Sequence, residues 1–204
     1  MEHPRRDGVT MSDLTIDEDH IPPGATLINC AFERCRMRGL DLSEIRTRQC
    51  TFVECDLANT DLSGSVHDRS SFTNSRLSGA SLATATFDRC RMLGSDLTDA
   101  RFLATQITGG DWSYVNLRFQ DLRSIDLSGV SLRGADLTEC DLRQAVLRDA
   151  VLSEATLEKA MLEGADLRGA DVDGIALHEL DLHGVVIDAS QALALALSHG
   201  AIVD

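Results

Sequence analysis

Residues 131–170 read SLRGADLTECDLRQAVLRDAVLSEATLEKAMLEGADLRGA, with a leucine at every fifth position from Leu132 to Leu167. Extending that frame in both directions gives 33 centres from Leu27 to Ile187, and 31 of them are apolar, all except Thr47 and His67. The position two before the centre is small (Ala, Ser, Thr, Cys or Gly) in 24 of the 33, and Gln120 is its one larger polar occupant. Asp precedes the centre in 12 units and Gly stands two after it in 11, so the unit reads as in Ala165-Asp166-Leu167-Arg168-Gly169. The frame never slips between Leu27 and Ile187, which leaves no room for an inserted loop.

Two inward positions in five, one large and one small, match neither the 3.6 period of a helix nor the alternation of a strand. A chain that turns a corner every five residues satisfies both. In Leu132-Arg133-Gly134-Ala135 the glycine falls at the third turn position, where a type II turn needs φ > 0. Four units close a square coil of about 20 residues, and coils stacked as parallel strands sit about 4.8 Å apart, so residues 25–189 make about eight coils. Composition agrees. The chain is 43% hydrophobic but 4% aromatic, and six of its eight aromatics (Phe32, Phe52, Phe72, Phe87, Phe102 and Trp112) are centres of a slim core, with Gly110 making room for Trp112.

The ends depart from the pattern. Residues 1–24 are acidic, lack the apolar stretch of a signal peptide and predict a disordered segment that Pro22-Pro23-Gly24 closes. At the other end, residues 190–204 predict a helix capped by Ser190 and stopped at Gly200. Leu193 and Leu197 share one face and are expected to cover the open edge of the last coil, with Leu195 pointing elsewhere. Two oily faces on one helix suggest a second contact, so Leu193, Leu195 and Leu197 are candidates for a homodimer interface. With no apolar run long enough to span a bilayer, the chain reads as cytoplasmic and not bound to membranes.

The net charge of −14 argues against direct nucleic-acid binding, which needs clustered Lys and Arg, and favours a basic partner. Assigned to four faces by position, the outward charges sum to 0 on the Leu27 face and −4 on the Leu42 face. On the latter, Asp41 and Asp61 stack on adjacent coils, as do Asp121 and Asp141, with Asp181 further on. Like charges facing each other on neighbouring strands destabilise them. Two readings follow: each Asp bonds local backbone at its corner, as Asx turns do, or the row serves as an acidic contact surface. Tyr114 and Phe119, at outward positions on successive faces, form a candidate contact patch if they are more than surface scatter.

Nothing in the chain resembles a catalytic site: no nucleophile with a base, no phosphate-cradling loop, no cleft carboxylate pair, so no enzyme activity and no cofactor are expected. The six cysteines, Cys30, Cys35, Cys50, Cys55, Cys90 and Cys140, occupy the small inward position and read as structural thiols, although Cys30 over Cys50 and Cys35 over Cys55 are close enough to bridge. No C-x-x-C pair points to a metal. His67, stacked on Thr47, is either turned outward or hydrogen-bonded inside.

The five-residue unit resembles the pentapeptide-repeat family over residues 25–189, and the resemblance implies a right-handed quadrilateral β-helix. Within that family the chain is most similar to the MfpA-type proteins and more distantly to the Qnr type. The cues are Arg91-Met92-Leu93-Gly94-Ser95, the run Leu162-Glu163-Gly164-Ala165-Asp166-Leu167-Arg168-Gly169-Ala170, and Ile187-Asp188-Ala189-Ser190-Gln191-Ala192 followed by His199-Gly200. That subgroup implies a dimer joined by C-terminal helices whose acidic rod occupies the DNA-binding saddle of the DNA gyrase A subunit and counters fluoroquinolones. Asp41, Asp61, Asp121, Asp141, Asp181, Tyr114 and Phe119 are then the gyrase-binding candidates. The alternative is a scaffolding repeat protein with an unrelated partner, its acidity serving solubility.

Overall fold

A computed structural model describes residues 4–202 of the 204. Residues 1–3 and 203–204, the outer tips of the two segments set apart in the sequence, lie outside the described residues. The chain coils as an all-β parallel solenoid with four faces. Three-residue strands mark two of them: β1 (Arg5–Asp7), β2 (Thr10–Ser12), β3 (Thr26–Ile28), β4 (Ala31–Glu33), β5 (Arg46–Arg48), β6 (Thr51–Val53), β7 (Val66–Asp68), β8 (Thr86–Asp88) and β9 (Gln106–Thr108). They pair in parallel in the orders β1-β3-β5-β7-β8-β9 and β2-β4-β6. From Thr26 onward the register advances by one 20-residue coil, as in Thr26↔Arg46 and Val66↔Thr86, and single bridges carry the same step up to Asp166↔Val186.

Each corner is made by the residue two after the centre. That residue has positive φ in every unit from Asn29 to Gly174, glycine or not. At Gly134 (φ 61°) the amide of Ala135 closes the turn on the carbonyl of Leu132 at 3.0 Å, the turn expected from the sequence. All 12 of the Asp residues before a centre accept a bond from the amide two residues on, for example Ser43 N–H to Asp41 at 2.9 Å and Ser63 N–H to Asp61 at 2.9 Å. The repeat therefore selects Asp for its short carboxylate, which fixes the turn locally. Gly110 has a different reason from the one expected. A Cβ there would lie 2.2 Å from the Cys90 carbonyl, so it admits the neighbouring backbone rather than the Trp112 ring.

Both ends correct the sequence reading. Residues 4–24 are not a disordered tail: β1 pairs with β3, β2 with β4 and Thr15 with Arg36, forming a further coil that buries Ile16 and Ile21. Its register is Arg5↔Thr26 and Thr10↔Ala31, one residue more than the 20-residue step. That extra residue shifts Met11 and Ile16 out of the modulo-five frame, so a scan for the frame passes over them.

At the other end α1 (Ala189–Ser198) is capped by Asp188 rather than Ser190. The Asp188 carboxylate accepts from the Ser190 and Gln191 amides, and the Gln191 side chain accepts from the Asp188 amide, a reciprocal capping box. Hydrogen bonds from Ser190 first, and then from the Gln191 and Gly169 backbone, hold the Asp188 carboxyl at about 2. This anchoring turns Gln191 and Leu195 inward, against Leu167, Val172 and Ile187. Leu193 and Leu197, expected to cover the coil, are instead 43% and 52% exposed. The Gln191 amide donates to the carbonyls of Leu167 at 2.6 Å and Ala170 at 2.9 Å, and so terminates the last coil.

Candidate functional site

Bridges Asp41↔Asp61 and Asp121↔Asp141 stack the predicted acidic pairs directly on adjacent coils. Their electrostatics differ. The carboxylates of Asp121 and Asp141 are each clamped by the guanidinium two residues on, Arg123 at 2.6 and 2.8 Å and Arg143 at 2.6 and 2.8 Å. Those guanidinium contacts are the main reason both carboxyls lie below the usual carboxylate range. Among the described residues, Asp41, Asp61 and Asp181 accept only a backbone amide, from Ser43, Ser63 and His183. Glu44 extends its side chain past Gly64 on the same side of the rod as Asp41 and Asp61. Free negative charge thus gathers at the Asp41–Asp61 end of this face, and the middle is internally neutralised. The signal was present as Asp-Leu-Ser at 41–43 and 61–63 against Asp-Leu-Arg at 121–123 and 141–143.

Tyr114 and Phe119 stand at the two edges of the face carrying Leu117, 55% and 54% exposed. Both hold the left-handed corner conformation, φ 56° and 62°, which bulky side chains rarely adopt. Tyr114 lies across Gly134, where any Cβ would meet its ring at 2.5 Å. Phe119 carries the Arg118 guanidinium 5.2 Å from its ring centroid, and Arg118 also reaches Asp136 at 3.2 Å.

Inside the rod, His67 is completely buried and held at both nitrogens, by Thr47 Oγ1 at 2.8 Å and Ser65 Oγ at 2.9 Å. Ser70 extends the chain by accepting from Thr47 at 2.8 Å and from the Cys50 amide at 3.2 Å. The two polar exceptions to the apolar frame therefore satisfy each other on successive coils, the inward alternative. Burial drives the imidazole down to about 3, so it is neutral. All six cysteines are free and buried. Burial pushes Cys50, Cys55 and Cys140 up to about 11 and Cys90 to about 12, which leaves little thiolate for chemistry. No helix among the described residues is long and apolar enough to cross a membrane.

No curated protein matches the sequence. Among solved structures, the fold is similar to full-length QnrB1, a plasmid-mediated fluoroquinolone resistance protein, with TM-score 0.88 and 21% identity over 96% of this chain and 99% of that one. A trypsin-treated form of the same protein gives TM-score 0.87 and 22% identity over 98% and 100%. The family model for pentapeptide repeats matches residues 30–66, 68–102, 113–149 and 135–174 with eight copies. Those stretches span most of the solenoid, and their period is the one that the corners at Asn29 to Gly174 enforce, so the chain belongs to the pentapeptide-repeat family.

Proposed function

We propose that this chain is a DNA-mimicking ligand of DNA gyrase, occupying the basic DNA-binding saddle of the A subunit in the cytoplasm and thereby inhibiting the enzyme or relieving fluoroquinolone poisoning. The observation that carries the reading is the cluster of Asp41, Glu44 and Asp61 on two adjacent coils of one side of the parallel solenoid, carboxylates that make no ion pair among the described residues. Coils about 4.8 Å apart present a sparser charge than duplex DNA, which has about one per 1.7 Å. The mimic works through position more than density. Exposed Leu193 and Leu197 on α1 supply an apolar surface for a second copy, which would double the rod. The family resemblance and the QnrB1-like fold support the same partner class.

Gyrase pull-down and supercoiling assays at low salt test the reading, and failure to bind there rejects it. Reversing Asp41 and Asp61 to Lys should weaken binding about tenfold or more, whereas reversing Asp121 and Asp141, already neutralised by Arg123 and Arg143, should change it about twofold. Equal affinity for the wild type and the first variant, with circular dichroism unchanged, sinks mimicry through this face. For the dimer, Leu193→Arg or Leu197→Arg should halve the mass by light scattering.

A further inference from the structure

Among the described residues, and away from the terminal coils, the ladder of the solenoid is interrupted at one place. On the Leu42 face, bridges run from Ser81 to Arg101 and resume only from Asp121 to Asp141. On the next face β9 is the last strand of its sheet, and bridging resumes from Asp126 to Val146. Among the described residues the amides of Phe102, Ala104, Ile107 and Gly109 meet no carbonyl of the following coil, whereas their counterparts one coil later, Leu122, Ser124, Leu127 and Gly129, do so at 2.8 to 3.0 Å. Asp121 and Asp126 likewise lack the bond to the preceding coil that Asp141 and Val146 each make at 2.9 Å. The bridges Asp96↔Asn116 and Asp111↔Ser131 close the gap on either side. The result is a window two faces wide.

The window has the chemistry of a strand acceptor. Its upper lip is the free edge of β9, and its lower lip offers the unmet amides of Asp121 and Asp126. Leu103, 74% exposed, and the partly buried Phe102 supply apolar surface beside it. Arg101, Arg123 and Arg143 line the adjoining cavity of about 870 Å3, within the ~300–1,000 Å3 typical of binding clefts. Asp121 is consumed by Arg123 and Asp141 by Arg143, while Arg101 makes no ion pair among the described residues. Glu163 also lines the cavity and acts on Arg143, so among the described residues Arg101 is the lining cation left without an ion-pair partner. Trp112, in the same coil as β9, is buried with its indole N–H lacking any acceptor.

We propose that this window receives an extended, acidic segment of a partner protein, which adds as a strand to the free edge of β9, with a carboxylate toward Arg101 and an apolar side chain on Leu103. Strand addition to an exposed edge takes its affinity from main-chain bonds and its selectivity from alternate side chains. The inference stands apart from the gyrase reading, which uses the carboxylates at the other end of the face.

Amide exchange followed by NMR, first on the free protein, tests it. Phe102, Ala104, Ile107, Gly109, Asp121 and Asp126 should exchange about 100-fold faster than Leu122, Ser124, Leu127 and Gly129. Titration with acetyl-(Val-Asp)4-amide should then protect the fast set, acetyl-(Val-Lys)4-amide should bind about tenfold more weakly, and Arg101→Glu should invert that order. Protection already complete in the free protein overturns the proposal, as does equal binding of the two peptides or none up to about 1 mM. Protection that grows with protein concentration alone would mean that a second copy fills the window, and that also overturns it.

Discussion

The coils before the window and the coils after it are built from different cores. In the first set, Phe32, Phe52 and Phe72 stack with ring centroids 4.9 and 4.8 Å apart, the same rise that the backbone ladder imposes. Inner-corner hydroxyls and thiols add bonds between coils: Ser75 Oγ donates to the Phe52 carbonyl at 3.1 Å and Cys55 Sγ to that of Phe32 at 3.4 Å. Beyond the window every centre from Leu117 to Leu167 is leucine, and alanine fills most inner corners. Alanine donates nothing, so apart from Gln120 and Cys140 the inner corners of those coils add no bonds, and the coils rest on main-chain bonds, leucine packing and external clamps such as Arg143 on Asp141 and Arg168 on Asp166. One repeat thus tolerates two ways of joining coils, and the ladder fails where they meet.

The largest effect should come from breaking the ring stack. Phe52→Ala should cost about 3–5 kcal/mol, near the upper limit for a buried aromatic, and Leu142→Ala about 2–3 kcal/mol. Both are read from urea unfolding, and a greater loss at Leu142 would undo the contrast. In a solenoid each coil supports mainly its neighbours, so exchange protection should fall around Phe52 and persist at Leu152. Next is the acid sensitivity of a buried imidazole, which the first set has and the leucine coils lack. Buried neutral His67 has a folded value near 3 against 6.5 unfolded, so the unfolded chain binds the extra proton between those limits. Stability is therefore fully present above about pH 6.5 and lost as pH falls toward 3, by about 2–3 kcal/mol between pH 6 and pH 4. His67→Phe, placed to stack on Phe87 as the imidazole does, should remove that slope, and an unchanged slope would assign it to the carboxylates.

How legible all this was in the sequence depended on the scale of the signal. A frame kept for 33 centres fixes the corner, the coil and the parallel ladder, because one slipped residue would turn every side chain to the wrong side. The first coil escaped for the same reason: one added residue between Ile16 and Leu27 moves its centres out of frame while leaving its pairing intact. The acidic pairs were placed correctly, but their free charge depends on a residue two positions on, Ser43 or Arg123, which a charge sum over a face averages away. The helix faces were misassigned because Asp188, not Ser190, sets where the helix begins. The window leaves the frame unbroken, so the sequence marks it only by the change from Phe102, Ile107 and Trp112 to unbroken leucine from Leu117 and by Gln120, the one large polar residue at an inner corner.

The terminal plug offers a smaller test, confined to the leucine coils. Gln191→Ala leaves the Leu167 and Ala170 carbonyls without their donor beneath α1, which should cost about 1–3 kcal/mol. The loss should appear as faster exchange in the last coils and reduced helical ellipticity, with the Phe32–Phe72 stack unaffected. Destabilisation felt equally at Phe52 would mean that the two sets of coils unfold as one unit and that the window does not insulate them.

The smallest expected change in global stability concerns what opens the window. A change from strand to single bridge is not enough, since the same change between β6 and Ser71 keeps its bonds, Phe52 N–H to Ser71 at 2.7 Å and Glu54 N–H to Thr73 at 3.0 Å. Gln120 stands at the corner where the missing bonds begin. Its amide donates to the Leu97 carbonyl at 3.1 Å, the role that Ser75 plays toward Phe52, but through a side chain two bonds longer. A longer strut at an inner corner holds the following coil away from its neighbour. Gln120→Ser keeps the donor and shortens the strut, so the amides of Asp121 and Asp126 should gain about tenfold protection while overall stability moves by less than about 1 kcal/mol. If those amides remain fast in Gln120→Ser, the opening arises instead from the mismatch between the aromatic and leucine coils themselves, and Phe102→Leu, which carries the leucine core across the boundary, should be the substitution that closes it.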